Sequence, residues 1–296
     1  MRQIEIKLRS RAKINIGLDV TGVRDDGYHL VRMIMQSVDL CDDVTIRADR
    51  EAVFCDKSGK DIRITCDRPG IPCDERNLAW KAASLLMDET GIGEPVTIDI
   101  VKRIPVAAGL AGGSGNAAAV LLGMNELFNL GLSGEDLCKI GLRIGADVPY
   151  CLTGKTMLAE GIGEVLTPLK DLPKCHILLA KPDMDVSTAH VYGELDRKKD
   201  LRHPDIDAIL EAVEGSDLKR ICAHMGNILE EVTEKEHGVI TEIKKSMKKN
   251  GALNALMSGS GPTVFGIFED IKKAEKAYDA IKKEDLAKQV FITAPI

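Results

Sequence analysis

Residues 102–119, Lys-Arg-Ile-Pro-Val-Ala-Ala-Gly-Leu-Ala-Gly-Gly-Ser-Gly-Asn-Ala-Ala-Ala, constrain this chain more than any other stretch. The alternating apolar segment before them, 96–104, reads as a strand. The alanine-rich segment from about Asn116 to Phe128 reads as a helix. Between the two stand Gly109, Gly112, Gly113, Ser114 and Gly115. Glycine carries no Cβ, so the backbone can come close to a ligand. The first N–H groups of a helix lack intrahelical partners, and the helix dipole favours negative charge there. A strand, a glycine loop and a helix in that order are a phosphate-holding arrangement, and four glycines in seven residues exceed the need of a plain turn. Two familiar phosphate motifs are excluded. Gly154-Lys155-Thr156 has Pro149 where a Walker A loop needs glycine, and the loop glycines do not fall into G-x-G-x-x-G.

A length of 296 residues points to two domains. Composition shifts at Leu166-Thr167-Pro168, so the expected division is 1–165 and 166–296. A net charge of −6 and 3% aromatic residues argue against a nucleic-acid binder. No apolar run reaches membrane-spanning length, and the charged, alternating start of the chain is unlike a signal peptide. Eight cysteines contain no C-x-x-C pair. Zinc is therefore not expected, while reduced thiols and a cytoplasmic location are. Cys41, Cys138, Cys151 and Cys175 read as packing residues.

The remaining pattern is mixed. Residues 4–20, 31–50 and 61–66 read as strands. In 12–20, Ala12, Ile14, Ile16 and Leu18 alternate with Lys13, Asn15, Gly17 and Asp19, which puts Lys13 and Asn15 side by side on one face. Arg24-Asp25-Asp26-Gly27 is a turn, followed by Tyr28 and His29. Asn77 and Ser133 read as helix caps, for helices to about Glu89 and Ile144. Gly145-Ala146-Asp147-Val148-Pro149 breaks the chain. Strands are expected at His176–Lys181, Thr263–Phe268 and Val290–Ala294, and a helix at Ile271–Lys283. Met257-Ser258-Gly259-Ser260-Gly261-Pro262 is a second glycine cluster. The run Lys244–Lys249 reads as a solvated helix end.

Four segments together resemble the superfamily of small-molecule kinases that includes galactokinase, homoserine, mevalonate and phosphomevalonate kinases, the GHMP kinases. They are Arg11-Ala-Lys-Ile-Asn-Ile-Gly-Leu with Asp26-Gly-Tyr-His29; Ile104-Pro-Val-Ala-Ala-Gly-Leu-Ala-Gly-Gly-Ser114; Ile144-Gly-Ala-Asp-Val-Pro-Tyr150; and Met257-Ser-Gly-Ser-Gly-Pro-Thr-Val264. Ala159-Glu-Gly-Ile-Gly-Glu164 also fits. Ala-Lys-Ile-Asn followed by Asp-Gly-Tyr-His is the more specific signal, and it resembles the branch serving the non-mevalonate isoprenoid route. One departure stands out: Gly115 occupies a position where the family usually carries a second serine.

The resemblance implies an α+β fold in two domains, the first like ribosomal protein S5 domain 2 and the second ferredoxin-like. It implies ATP-dependent phosphorylation of an alcohol on a small molecule carrying a cytidine diphosphate. Lys13 and Asp147 are then the catalytic pair, with Asp147 taking the hydroxyl proton and Lys13 stabilising charge. Pro105, Ala107, Ala108, Gly109, Leu110, Ala111, Gly112, Gly113, Ser114 and Gly115 would cradle ATP. Its Mg2+ has no acidic cluster announcing its ligands, and Ser114 is the candidate. Asn15, Tyr28, His29, Tyr192, Gly259, Ser260 and Gly261 would bind substrate; a tyrosine offers a face for stacking, and an imidazole offers a donor and an acceptor to a base edge. No membrane or nucleic-acid partner is expected, and the chain would be a monomer or weak homodimer. Two rivals stay open: a homoserine-type kinase, against which Tyr28-His29 argues, and a non-catalytic nucleotide-binding protein, against which the Lys13 and Asp147 pair argues.

Overall fold

A computed structural model describes residues 4–48 and 60–296. The expected strand 31–50 is seen as far as Ala48; its last two residues lie outside the described ones. In chain order the elements begin with β1 (Ile4–Val23), β2 (His29–Ala48), β3 (Ile62–Cys66), α1 (Leu78–Thr90), β4 (Val96–Val101), α2 (Gly112–Leu127), α3 (Gly134–Leu142) and α4 (Val148–Thr153). They continue with β5 (Thr156–Glu160), β6 (Val165–Pro168), β7 (His176–Lys181), α5 (Thr188–Leu195), α6 (Ile206–Glu214) and α7 (Leu218–His224). The chain closes with β8 (Gly226–Asn227), α8 (Glu230–Glu236), α9 (Gly238–Lys249), β9 (Asn254–Met257), β10 (Val264–Phe268), α10 (Ile271–Lys283) and β11 (Gln289–Thr293).

Packing divides the chain into two compact units, neither of them one run of sequence. The first comprises Met1–Ala12, Cys41–Val106 and Ala111–Thr153. In it β3 pairs parallel with β4 from Ile62 against Val96, and β2 pairs antiparallel with β4 from Asp43 against Val101. The helices α1 and α2 share one core with these strands, built from Ile46, Ile98, Trp80, Leu86, Val120 and Met124. Each such side chain contributes about 1.5–3 kcal/mol on burial. Gly123 lets α2 lie close on the sheet, because a Cβ there would meet Ile46 Cδ1 at 2.4 Å.

Local capping chemistry sets the helix starts. Asn77 accepts from the Ala79 N–H, and Ser133 forms a reciprocal capping box with Asp136. Two expected boundaries move. The helix expected from about Asn116 begins at Gly112, so Gly112 and Gly113 form its first turn rather than a preceding loop. The strand expected to reach Ile104 stops at Val101, because the N–H groups of Arg103 and Ile104 are taken by the Asp42 carboxylate instead of a strand partner.

The second unit comprises Lys13–Leu40, Ala107–Leu110 and Gly154–Ile296. Here β5 runs antiparallel to β2 from Met33 against Ala159, β6 turns back on β5, and β8 pairs parallel with β1 at Gly17 and Gly226. A separate antiparallel sheet has the order β11-β7-β10-β9. Numbered along the chain this is 4-1-3-2, the ferredoxin-like order that the resemblance implies. Ile243 and Met247 of α9 and Ala274, Ala277 and Ile281 of α10 are buried, giving each helix one apolar face. The charge run Lys244–Lys249 ends α9 as expected, with one exception. The Lys244 side chain is mostly buried and pairs with Glu230 and Glu234.

Candidate active site

Lys13 lies in β1, whose period of two turns its side chain to the same face as that of Asn15. The ammonium Nζ donates to Asn15 Oδ1 at 2.8 Å. Both residues are buried, Lys13 at 5% and Asn15 at 0% exposure, so both faces of this strand are covered, not only the apolar one. A lysine is almost never buried to this degree without a polar partner. The Asn15 amide in turn donates to Met33 Sδ.

The second glycine cluster closes around this lysine. A Cβ built on Gly259 would lie 3.6 Å from Lys13 Nζ, and one on Gly109 would lie 2.2 Å from the Ser258 carbonyl oxygen. Gly109 has φ 72°, a left-handed conformation, and its carbonyl accepts from Ser258 Oγ at 3.0 Å. The Lys13 N–H donates to the Leu110 carbonyl. Lys13, Asn15, Gly109, Leu110 and Gly259 are thus one assembly in the second unit.

Side chains from neighbouring segments brace the 257–261 segment. Asn227 donates from Nδ2 to the carbonyls of Met257 and Gly259, both at 2.8 Å. Glu230 accepts from the Met257 N–H. Burial pushes the Glu230 carboxyl up, with Lys244 and that N–H only partly opposing it. Ser260 Oγ meets Thr188 Oγ1 at 2.9 Å, and the Gly261-Pro262 peptide is cis. Thr188 opens α5, the helix that carries Tyr192. The Tyr192 ring lies 4.5 Å from the His29 ring at 41°, and His29 Nε2 meets Asp196 Oδ1 at 2.8 Å. Tyr28 is 58% exposed.

In the first unit the start of α2 is held from below. Its N-cap is Ala111, in the left-handed region at φ 54°, with no side-chain cap, so the first N–H groups have no capping oxygen. Ala107 is left-handed as well, at φ 49°. Such strain persists only where the surroundings impose it. On the approach to α2, Asp42 is fully buried and paired with the buried Lys102 ammonium. Asp42 Oδ1 accepts from the N–H groups of Arg103 and Ile104, both at 2.8 Å. Asn116, its amide oriented to suit its neighbours, donates to Asp42 Oδ2, Ser10 Oγ and the Gly112 carbonyl. A Cβ on Gly112 would lie 2.7 Å from Lys102 Nζ. Pro105 is buried, Gly113 is exposed, and Ser114 is half-buried in the first turn of α2. Asp147 is half-buried just before α4, and its carbonyl accepts from the Cys151 N–H.

Among the described residues no group of three or more His, Cys, Asp or Glu side chains could hold a metal ion. Magnesium carried on a nucleotide needs only one or two protein oxygens, since phosphates and water supply the rest. The Ser114 hydroxyl, half-buried in the first turn of α2, is a hard oxygen donor of the required kind. No helix of the described residues is long and apolar enough to cross a membrane.

Several residues of this architecture escape a reading of motifs: Asp42, Lys102, Asn116 and Ser10 in one unit, and Asn227, Thr188 and Asp196 in the other. The one local signal was Asp42-Asp43 inside an otherwise strand-like run.

Comparison with known proteins fits this geometry. Residues 77–155 match the GHMP kinases N terminal domain and residues 206–287 the GHMP kinases C terminal. The 4-diphosphocytidyl-2-C-methyl-D-erythritol kinase of Clostridium perfringens is 49% identical over 98% of this chain and 98% of its own length. A crystal structure of 4-(cytidine 5'-diphospho)-2C-methyl-D-erythritol kinase superposes with a TM-score of 0.80 at 29% identity, covering 98% of this chain and 99% of that one. A homoserine kinase from Cytophaga hutchinsonii superposes at 0.76 with 20% identity, covering 100% and 96%, which is a likeness of fold. This chain has the two-domain GHMP kinase fold and belongs, within the GHMP kinases, to the family of 4-diphosphocytidyl-2-C-methyl-D-erythritol kinases.

Proposed function

We propose that this chain transfers the γ-phosphoryl group of ATP to the 2-hydroxyl of 4-diphosphocytidyl-2-C-methyl-D-erythritol, releasing the 2-phosphate and ADP. The observation that carries this reading is the Lys13 ammonium, buried, held by Asn15 and set beside the Gly259 backbone. A fixed cation in a dry site stabilises charge developing on a substrate oxygen far better than one in water. Asp147 takes the hydroxyl proton, a role worth about 10² to 10⁴ in rate.

The loop from Pro105 through Gly115 receives the triphosphate, with the uncapped N–H groups at the start of α2 as donors. Magnesium, when bound, would neutralise phosphate charge, and the Ser114 hydroxyl would hold it. On the substrate side Asn15 orients the hydroxyl or diphosphate. Gly259, Ser260 and Gly261 line the site, while His29, Tyr28 and Tyr192 receive the cytosine. The division at 165/166 marks two inherited halves; the two family matches on either side of it support this. The enzyme acts in the cytoplasm, with reduced thiols, as a monomer or weak homodimer.

Coupled ADP release with ATP and this substrate tests the reading. The wild type should turn over, and Asp147→Asn should lose at least 10²-fold in kcat. Turnover with homoserine or mevalonate in place of this substrate would overturn the assignment, and full activity of Asp147→Asn would overturn the base.

A further inference from the structure

His29 is the first residue of β2, with its side chain 15% exposed. Tyr192 of α5 and Asp196, the residue that caps the end of that helix one turn on, meet its ring. Tyr192 packs against the ring at 4.5 Å, and Asp196 accepts at 2.8 Å. The i, i+4 spacing is what brings both to one place, and the Asp196 N–H bonds the Tyr192 carbonyl, so the turn is regular there. An ionised carboxylate only accepts hydrogen bonds. The proton between the two groups therefore sits on Nε2, and a neutral His29 has its lone pair on Nδ1. No hydrogen bond to Nδ1 is seen among the described residues.

We infer that Asp196 is a positioning residue for base selection: by holding the proton on His29 Nε2 it leaves Nδ1 as an acceptor, suited to an exocyclic amino group and not to a carbonyl. This rests on the proposed function, in which a pyrimidine carried on a diphosphate meets His29. Cytosine presents the N4 amino donor on its edge, whereas uracil presents an O4 acceptor at the same position. An acceptor nitrogen bonds the first and leaves the second facing a lone pair. Tyr192 contributes by fixing the plane of the imidazole, so that the direction of the acceptor is set along with its identity. The other tautomer would place a donor toward the base and favour the wrong pyrimidine. A site whose polar groups are unpaired with the wrong base discriminates by more than loss of contact alone.

The test uses the full chain labelled with ¹⁵N-histidine, with His29→Asn identifying the His29 signals. In the wild type the nitrogen shifts should show Nε2 protonated and Nδ1 bare. In Asp196→Ala that preference should weaken, with the other tautomer becoming populated. Steady-state kinetics would use the cytidine substrate and its uridine counterpart. The kcat/KM ratio between them should fall roughly three- to tenfold in Asp196→Ala, the size expected for one uncharged hydrogen bond, chiefly through KM of the cytidine substrate. Asp196→Asn, whose Oδ1 still accepts from Nε2–H, should restore both readouts. A wild-type preference for cytidine that survives Asp196→Ala, or a tautomer unchanged by it, would overturn the inference and leave the function standing. A wild type with no preference for cytidine over uridine would overturn the inference together with the reading of His29 on which it rests.

Discussion

Ser10 Oγ fills the space beside Gly115: a Cβ built on that glycine would lie 2.6 Å from the hydroxyl and 3.2 Å from the Arg11 carbonyl oxygen. Glycine at 115, where the family resemblance leads one to expect a serine, thus stands where a side chain has no room. That space is taken by a hydroxyl on β1, bonded by Asn116 of α2.

Gly115→Ser should therefore destabilise the protein by about 1–3 kcal/mol through overpacking. The pair Ser10→Ala with Gly115→Ser should recover most of that loss. Chemical denaturation of the four proteins of this double-mutant cycle measures the coupling; simple additivity would refute the shared space.

Asp42→Ala removes the partner of a buried ammonium, and the expected cost is about 3–5 kcal/mol. Asp42→Leu combined with Lys102→Met removes both charges and should be more stable than the single variant. It should still show a raised KM for ATP, because the N–H groups of Arg103 and Ile104 lose the acceptor that shapes the loop entrance. Measuring stability and KM on the same two variants separates the charge pairing from the shaping of the loop.

Gly109→Ala faces two obstacles at once. Its φ of 72° penalises any side chain, and the Cβ would lie 2.2 Å from a backbone oxygen. A loss of about 2–5 kcal/mol is expected from strain and overpacking together. Gly113→Ala is the control, since its Cβ would meet only Leu78 Cδ1 at 3.5 Å. Thermal unfolding should show a large shift for the first and a small one for the second.

The thiols of Cys175 and Cys222 are pushed up to about 12 by burial. A group whose value is raised in the native state stabilises it fully below its unfolded value, 9.0 here, and that contribution is lost as pH rises towards about 12. Alkaline unfolding should accordingly move to higher pH in Cys175→Ala with Cys222→Ala once measured against each variant's own neutral stability. At pH 8 an alkylating reagent should label the exposed Cys73 and spare both buried cysteines until the protein unfolds, as intact-mass spectrometry would show.

What could be read from the amino-acid order was the short-range chemistry. Asn77 and Ser133 cap helices because a cap and its target are two or three residues apart. Lys13 and Asn15 share a face because a strand has a period of two. The start of α2 was misplaced because glycines in a first turn look like loop, and only the sheet packed beneath shows otherwise. Asp42 acts on residues about sixty positions away, and Asp196 on one 167 away. Nothing local distinguishes such carboxylates from surface ones; it takes the fold to bring their partners to them.

The loop from Pro105 to Ala111 contains no polar side chain of its own. Its entrance is set by Asp42, its exit by Asn116 and Ser10, and its middle by Ser258 and the Lys13 N–H. Grafting the glycine motif alone into another scaffold would therefore transplant a flexible ribbon. The smallest transferable module is discontinuous, and it includes residues of β1, β2 and the 257–261 turn.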